Sequence, residues 1–373
     1  MIIKNGLVFG ADCKFGLGEI AVQESRIAQT CNDTETFDAT DCYVVPGFVD
    51  IHIHGAAGSD FCDGGIQHLN TIAGYLAKQG VTSFLGTSMA FDEPILTNLF
   101  TIAKEIIGKD ISNQAVMRGI NMEGPFFSKA KKGAQSEKYI VPPALEMFKR
   151  LYEVSGEAVR LVDVAPEEPN ALDFIKEASK LCTVSIAHTT ADFETASAAF
   201  EAGATHVTHL FNAMPNFSHR APGVVGAAGD YASHVEMICD GIHLHPSIIR
   251  NMFRMFGPQR ICLISDSMQA CGMPNGEYSL GGQKVFVQDG KATLADGTIA
   301  GSSTCQPECM RRAVSFGVSL EDAITAATVN PAKAIGLFDE IGSLEIGKRA
   351  DLVVLNKALQ PVLVLIGGKK VAL

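Results

Sequence analysis

The sequence has little positive charge, and this deficit excludes several kinds of partner. Its 373 residues include 30 Lys and Arg against 41 Asp and Glu, which gives a formal net charge of −11. A surface with that balance argues against a nucleic-acid partner and against binding to an anionic membrane. It does not exclude a small anionic substrate, because one local arginine can hold such a molecule.

Long apolar runs and paired cysteines are also lacking. No apolar run approaches membrane-spanning length, and Lys4, Asn5 and Gly6 interrupt the apolar start that a secretory signal would need. The ten cysteines lack the spacing of a zinc cluster, since Cys305 and Cys309 have no second pair to complete one. We interpret them as reduced thiols and expect a soluble, cytoplasmic protein without a membrane partner.

What the sequence does contain is an alternation of predicted strands and helices. One predicted strand runs to His54, and seven more cover residues 81–87, 116–122, 159–164, 183–187, 205–210, 235–239 and 260–265. Helical segments separate them, the first of which covers residues 66–79. Eight such units over roughly 250 residues predict an α/β fold, a closed (β/α)8 TIM-type barrel. The alternative, an open doubly wound sheet, lacks the Gly-x-Gly-x-x-Gly turn after its first strand.

The two ends of the sequence share a different pattern, with short strands and tight turns but no helical period. Asn5-Gly6 and Gly367-Gly368 are typical hairpin turns. We therefore predict a small β-sandwich domain built from residues 1–47 and 345–373, and a barrel domain over residues 48–344. Residues 275–300 predict a hairpin insertion before the last helices.

Metal-ligand and acid–base residue types follow the predicted barrel strands. Barrel enzymes carry their chemistry at the carboxyl ends of the strands, so the recurrence of these types at that level favours one common site over separate structural roles. They are His52 and His54 at the first strand, Glu123 after the third, His188 after the fifth, His209 at the sixth, Asp240 and His243 after the seventh, and Asp266 after the eighth.

Strand parity refines this set of candidates. Alternate residues of a strand share a face, so His52 and His54 should point one way and Ile51 and Ile53 the other. By the same rule His206 has the opposite parity to His209. We therefore expect His206 to face the helices or a hydrogen-bond partner, outside the site.

The residue types in this set predict metal-assisted hydrolysis. Three or more His and Glu ligands leave an open position for water on a divalent cation, and the cation lowers the pKa of that water towards neutrality. A neighbouring carboxylate can take the proton and hand it to the leaving group. We favour Asp266 over Asp240 for this role, because Asp266 closes the eighth strand after an apolar run. The expected reaction is hydrolysis of an amide or ester.

Several motifs resemble the amidohydrolase superfamily. They are Pro46-Gly47-Phe48-Val49-Asp50-Ile51-His52-Ile53-His54, Asn330-Pro331-Ala332-Lys333 and the segment from Gly342 to Val353. Within the superfamily the chain resembles the N-acetylglucosamine-6-phosphate deacetylase family, through Glu123-Gly124-Pro125-Phe126, Lys132-Gly133-Ala134-Gln135, Ala187-His188-Thr189, the segment 208–214, Arg220-Ala221-Pro222-Gly223, Asp240-Gly241-Ile242-His243 and Ser265-Asp266.

This resemblance implies roles for individual residues. Glu123, His188 and His209 would bind the main metal, and members with His-x-His can hold a second one at His52 and His54. Zinc is the expected metal, with iron or manganese as alternatives. Asp266 would be the general base and then the acid, and His243 would polarise the acetyl carbonyl.

The resemblance also implies how substrate is held. Asn212 and Ala213 would bind the 6-phosphate together with Arg220, which the second subunit of a homodimer would supply. Gln135, beside Ala134, stands where some members carry histidine, and both residues would contact the substrate, Gln135 at a sugar hydroxyl. Ser302, in Ala300-Gly301-Ser302, lies in a loop similar to a substrate-contacting one.

The expected reaction is therefore hydrolysis of N-acetyl-D-glucosamine 6-phosphate to glucosamine 6-phosphate and acetate. Three alternatives stay open: the galactosamine epimer as substrate, a different amidase such as a cyclic amidase, and a non-catalytic scaffold on the same fold. Many cyclic amidases need a carboxylated lysine on the fourth strand, and Leu161-Val162-Asp163-Val164 contains none. A scaffold protein would be expected to lose metal ligands, and none is missing.

Overall fold

The computed structural model describes residues 1–32 and 34–373, and over these residues it contains two large sheets and ten α-helices. The strands of the first half are β1 Ile2–Phe9, β2 Phe15–Gln23, β3 Arg26–Ala28, β4 Thr36–Asp38, β5 Tyr43–Pro46, β6 Phe48–Ile53, β7 Gly55–Ala56, β8 Ser59–Asp60, β9 Val81–Thr87, β10 Val116–Met122 and β11 Val159–Val164. Those of the second half are β12 Thr183–Ile186, β13 His206–Val207, β14 His234–Ile238, β15 Ile261–Ile264, β16 Gly276–Leu280, β17 Gln283–Gln288, β18 Lys291–Thr293, β19 Leu352–Leu355, β20 Pro361–Ile366 and β21 Lys369–Lys370.

The helices lie mostly between the barrel strands. They are α1 Ile66–Gln79, α2 Glu93–Lys104, α3 Leu145–Val154, α4 Ala171–Ala178, α5 Phe193–Ala202, α6 Gly223–Tyr231, α7 Pro246–Phe256, α8 Gln306–Ser315, α9 Leu320–Ala327 and α10 Val329–Ala334. Several begin at a side-chain cap, as where the carboxylate of Asp92 accepts the N–H of Ile95 and that of Asp192 accepts the N–H of Thr195. Helix α1 ends at Gly80, whose φ of 91° suits glycine. No helix in the described part of the chain is long and apolar enough to cross a membrane.

Eight parallel strands form the barrel, in the order β15-β14-β13-β12-β11-β10-β9-β6. The first and last strands also meet, because the amide of Asp266 donates to the carbonyl of His52 at 2.9 Å and that of His54 donates to Ser267 at 2.9 Å. The closed barrel that the alternation predicts is thus confirmed, and the open sheet is excluded. Closure brings the carboxyl ends of all eight strands to one face of the molecule.

The barrel interior has an apolar base and a polar layer above it. Val49, Leu161 and Ile264 belong to an apolar cluster that includes Ala332 and Ile341 from the segment that follows α9. Above this cluster lies a layer of buried polar side chains, which comprises Asp50, Asn121, Asp163, Ser185, His206, Thr208 and Glu236. The candidate site therefore rests on a polar floor rather than directly on the hydrophobic core.

The second large sheet joins the two ends of the chain. Strand β5 pairs in parallel with β1 and antiparallel with β19, which carries β20 and β21. The two faces of this sheet pack against different cores. Val44 and Val354 belong to a small separate core, whereas Val45 and Val353 belong to the main core beside the barrel. The predicted sheet of both termini is confirmed, and the exact domain boundaries stay a prediction.

Two local predictions need correction. Ile53 packs outward as expected, but Ile51 lies in the interior apolar cluster, because β6 has register shifts on either side of Asp50 and so loses a strict alternation. Strand β13 covers only His206–Val207, much less than the predicted 205–210. The insertion at 275–300 forms the three antiparallel strands β16, β17 and β18.

Candidate active site

The candidate residues Glu123, His188, His209 and Asp266 follow barrel strands within two positions, where the backbone leaves the sheet. Glu123 comes directly after β10, whereas His188, His209 and Asp266 come two residues after β12, β13 and β15. The last three have positive φ angles of 45°, 27° and 47°. Such conformations are uncommon outside glycine and cluster at functional sites. They turn each side chain away from its strand direction towards the barrel axis.

These turns bring two groups of possible metal ligands together. One group is His52, His54 and Asp266, and the other is Glu123, His188 and His209; within each group the ligand atoms lie within 4.8 Å of one another. All six residues are buried. The residues that the sequence predicts as ligands and base therefore converge in space.

Glu123 stands between the two groups. Its Oε1 lies 3.3 Å from His188 Nε2, 3.2 Å from His209 Nε2 and 3.5 Å from His52 Nε2. Its Oε2 lies 3.4 Å from His54 Nε2. A single carboxylate thus contacts all four site histidines, the arrangement that a ligand shared between two adjacent cations would need.

The histidines are oriented by what their other ring nitrogens contact. His54 Nδ1 lies 3.3 Å from the carbonyl of Thr87, His188 Nδ1 lies 2.9 Å from the carbonyl of Lys131, and His52 Nδ1 lies 3.0 Å from Glu236. Each of these acceptors favours a hydrogen on Nδ1. The Nε2 lone pairs then face the centre of the site, as metal-binding histidines require.

The donor set fits a divalent cation. Nε2 of His188 and Nε2 of His209 lie 3.2 Å apart, although two such lone pairs repel unless a proton or a cation lies between them. His52 Nε2 is buried without a hydrogen-bond partner among the described residues. Mixed imidazole and carboxylate ligands suit zinc, iron or manganese. Both features are those of a site built to hold a metal.

The charges in the site support one another. Burial alone would raise the pKa of Glu123, but the adjoining His188 and His209 rings hold that pKa well below its usual range. Burial likewise acts to raise the pKa of Asp266, and the adjoining His54 ring outweighs it and lowers that pKa. Both carboxylates are therefore ionised near neutral pH, which suits ligand and base chemistry.

His243 forms a separate pair beside this cluster. Its Nδ1 donates to Asp240 Oδ2 at 2.7 Å, and the backbone N–H groups of Ile242 and His243 donate to Asp240 Oδ1. Burial acts to lower the pKa of His243, yet the hydrogen bond to Asp240 raises it. The His243 side chain also lines the cavity above the cluster.

A cavity of about 280 Å³ opens above the cluster. Its lining residues are His54, Met89, Glu123, Gly133, Ala134, Gln135, His188, His209, Asn212, Ala213, His243, Asp266, Leu280, Thr298, Ile299 and Gly301. No Lys or Arg is among the described residues that line it. A strongly anionic group bound there would need a cation from elsewhere.

Four of the residues predicted to hold the substrate line this cavity, but not all of them are available for a contact. Ala134, Asn212 and Ala213 line the cavity. Gln135 also lines it, but its amide already donates to Glu123 Oε2 at 2.7 Å and accepts the N–H of Ala90 at 2.8 Å. This geometry supports a role in holding Glu123 and leaves the predicted sugar contact unsupported.

Ser302 and Arg220 lie away from the cavity of their own chain. The hydroxyl of Ser302 donates to the carbonyl of Ser265 at 2.6 Å, so it fastens the loop after β15, while Gly301 lines the cavity instead. The predicted substrate contact of Ser302 therefore has no support from its position. Arg220 is exposed in the loop after β13, beside a second cavity.

Sequence reasoning missed the polar layer beneath the site, and above all Glu236. A carboxylate inside the apolar strand His234-Val235-Glu236-Met237 was the available signal. His206 was expected to face the helices or a hydrogen-bond partner. It points into the barrel, where Nδ1 lies 3.0 Å from Ser185 Oγ, so the second half of that expectation holds. Strand parity gave the wrong orientation for His206, because His209, with which it was compared, lies in a turn beyond the end of β13.

The fold is a closed parallel barrel, and histidines and carboxylates converge at the carboxyl ends of its strands. These two features define the class, a barrel protein with a candidate metal centre. The chain belongs to the amidohydrolase family, whose model matches residues 43–371. The resemblance predicted from the motifs is thereby confirmed.

Three known proteins show how far the similarity extends. The N-acetylglucosamine-6-phosphate deacetylase of Bacillus subtilis (strain 168) is 36% identical over 372 residues, 98% of this chain and 93% of that protein. The N-acetylgalactosamine-6-phosphate deacetylase of Escherichia coli O157:H7 is 34% identical over 319 residues, 84% of each. A solved structure is also similar, that of a mutant N-acetyl-D-glucosamine-6-phosphate deacetylase from Mycobacterium smegmatis in complex with N-acetyl-D-glucosamine-6-phosphate. It has a TM-score of 0.91 at 31% identity and covers 100% of this chain and 99% of that one.

Proposed function

We propose that the protein is a metal-dependent deacetylase that hydrolyses N-acetyl-D-glucosamine 6-phosphate to D-glucosamine 6-phosphate and acetate. The observation that carries this proposal is the convergence of two ligand groups, joined by Glu123, at the floor of one cavity. The near full-length similarity to deacetylases of this substrate supports the choice of substrate.

Glu123, His188 and His209 would hold the main cation, and His52 and His54 would hold a second one. A divalent cation bound there would lower the pKa of a water ligand and polarise the acetyl carbonyl. Asp266 then acts as general base: it takes the proton of the attacking water and passes it to the amide nitrogen, which leaves as the amine. Its position beside His54, 3.3 Å from Nε2, places it at the edge of the cluster that faces the cavity.

His243, which also lines the cavity, would assist at the carbonyl oxygen. Because Asp240 holds Nδ1 and raises the pKa of the ring, Nε2 can carry a hydrogen and donate it towards the developing charge on the carbonyl oxygen. Asp240 acts through His243 and is a positioning residue. The pair therefore contributes charge stabilisation without taking part in the proton transfer.

Binding of the 6-phosphate is the step that one chain does not complete. Asn212 and Ala213 line the cavity, but the nearest predicted cation, Arg220, is exposed and outside it. We therefore infer a homodimer in which Arg220 of the second copy reaches the phosphate. A guanidinium matches phosphate oxygens in two-pronged geometry.

Zinc is the expected cation, because imidazole and carboxylate ligands that leave one position open for water suit it, and iron and manganese are the alternatives. The enzyme would act in the cytoplasm, where its buried thiols, such as Cys262 and Cys309, stay reduced.

The experiment that tests the proposal combines a metal count with acetate release. Purified protein is analysed for bound divalent ions and then incubated with N-acetylated sugar phosphates of both the gluco and galacto series. We expect at least one ion per chain and acetate release that is fastest with the gluco compound. Fewer than one ion per chain with no acetate release would instead favour a non-catalytic scaffold.

The galactosamine epimer is the second candidate, because a deacetylase for that substrate is 34% identical to this chain. A higher kcat/KM for the galacto compound in the same assay would replace the first assignment. The fold and the metal chemistry would be the same in both cases.

A further inference from the structure

We propose that Glu236 is a positioning residue that fixes His52 as a metal ligand and ties the two ligand groups together. This inference rests on the proposed function, since it concerns the same metal centre. Glu236 lies on β14, in the polar layer directly beneath the site, and is fully buried.

One oxygen of Glu236 contacts both ligand groups. Its Oε2 accepts from His52 Nδ1 at 3.0 Å and from the backbone N–H of His209 at 3.1 Å. The first contact orients an imidazole ring of one group. The second holds the backbone of the other group at the turn where His209 has its positive φ. A shift of this carboxylate would therefore change the distance between the two groups.

The contact with His52 differs from those of the neighbouring histidines. Nδ1 of His54 and Nδ1 of His188 meet backbone carbonyls, those of Thr87 and Lys131. Either kind of acceptor fixes the tautomer, but the full negative charge of Glu236 should make Nε2 of His52 the stronger electron-pair donor to a metal. His52 thus has the strongest outer partner of these three rings.

Stability alone does not explain a carboxylate at this position. Its other oxygen, Oε1, has no hydrogen-bond partner within the described residues, and His206 Nε2 lies 4.0 Å from it. A buried carboxylate with an unpaired oxygen costs free energy, and an apolar residue would fill the same volume without that cost. The cost is offset where the charge faces the metal ligands.

The test uses a double-mutant cycle on metal affinity. Glu236→Gln keeps the shape and removes the charge, and it is made in the wild-type background and in a His52→Ala background. Zinc affinity is measured on apo protein by competition with a chelator. Outer partners of ligating histidines are worth about 10–100-fold in affinity, so we expect a loss of that size in the wild-type background. In the His52→Ala background the loss should be under about twofold, because the partner is absent.

Asp163→Asn is the matched control. Asp163 is another buried carboxylate of the same layer, and it accepts a hydrogen bond from Thr208 at 2.6 Å without contacting a site histidine. Its variant should keep wild-type zinc affinity within about twofold. An unchanged affinity in Glu236→Gln, or an equal loss in both backgrounds, would overturn the inference.

A second measurement, on the wild-type protein, tests the proposal even if Glu236→Gln does not fold. In the wild-type apo protein, nitrogen NMR of labelled histidine should show His52 with its hydrogen on Nδ1, and a hydrogen on Nε2 would overturn the proposal. The measurements distinguish a failure of the proposed function from a failure of this inference alone. If wild-type protein neither holds zinc nor releases acetate, the proposed function fails. If it does both and Glu236→Gln behaves like the wild type, only this inference fails.

Discussion

Replacing Asp266 with Asn tests the proton transfer most directly. The change keeps the side-chain volume and removes the one carboxylate other than Glu123 among the described residues that line the cavity. Both oxygens of Glu123 already face histidines, and the Oε2 atom also accepts from Gln135. Asp240 holds Nδ1 of His243 at 2.7 Å and raises the pKa of the ring, so we assign His243 the donor role rather than that of the base.

The expected magnitude follows from this lack of a substitute. General acid–base groups contribute about 10²–10⁴-fold, and the absence of a second base places the loss near the upper end. A loss of about 10³–10⁴-fold in kcat corresponds to about 4–5 kcal/mol in the activation barrier. The main metal should stay bound, because Glu123, His188 and His209 form the ligand group that does not include Asp266.

The assay is acetate release at saturating substrate, with the metal content of each sample measured in parallel. Asp41→Asn is a matched control: Asp41 also has a positive φ, of 61°, but its side chain is 71% exposed at the surface, where it pairs with Lys357. The control should keep wild-type turnover. A kcat for Asp266→Asn within tenfold of the wild type, at equal metal content, would refute the role assigned to Asp266.

Three further predictions concern phosphate binding, stability and pH. Arg220→Ala should raise KM about 10–100-fold for the phosphorylated sugar and far less for the free sugar, since a charge-assisted hydrogen bond is worth about 1.5–3 kcal/mol; equal effects on both substrates would show that Arg220 does not contact phosphate. Asp351→Ala should destabilise the fold by about 3–5 kcal/mol in urea unfolding, because Arg349 at 3.0 Å and Arg118 at 3.4 Å lose a buried partner; a change below about 1 kcal/mol would contradict this. Burial lowers the pKa of His234 to about 4, below its usual value of about 6.5, so the unfolded chain binds a proton that the folded chain does not. Stability is therefore lost as pH falls from about 6.5 to about 4. His234→Gln should flatten the pH dependence of unfolding in that window, and an unchanged slope would contradict the assignment.

Much of the barrel could be predicted because its strands are buried on both faces and therefore appear as continuous apolar runs. Strands β9, β10 and β11 lie at the predicted bounds, and helix α1 does so as well. The candidate site could be predicted for a related reason, because polar residues that directly follow such apolar runs are easily recognised in the sequence. Glu123 and Asp266 were recognisable in this way.

The remaining features depend on contacts distant in sequence. The register shifts of β6 that turn Ile51 inward arise from its pairing with β9, which no local pattern records. The rule that alternate residues of a strand share a face does not relate His206 to His209, because β13 ends at Val207 and His209 lies in the turn that follows. Glu236 was overlooked because its partner, His52, is 184 residues away in the chain.

The sheet formed by both chain ends has a consequence for how the protein is made. Strand β5 cannot gain its neighbour β19 until about 300 further residues have left the ribosome, which takes about 15–60 s at 5–20 residues per second. During that interval the apolar edge of β5 is uncovered, next to a barrel that is still being completed. Nascent chains of this enzyme should therefore recruit chaperones at their amino-terminal strands until the last segment is released.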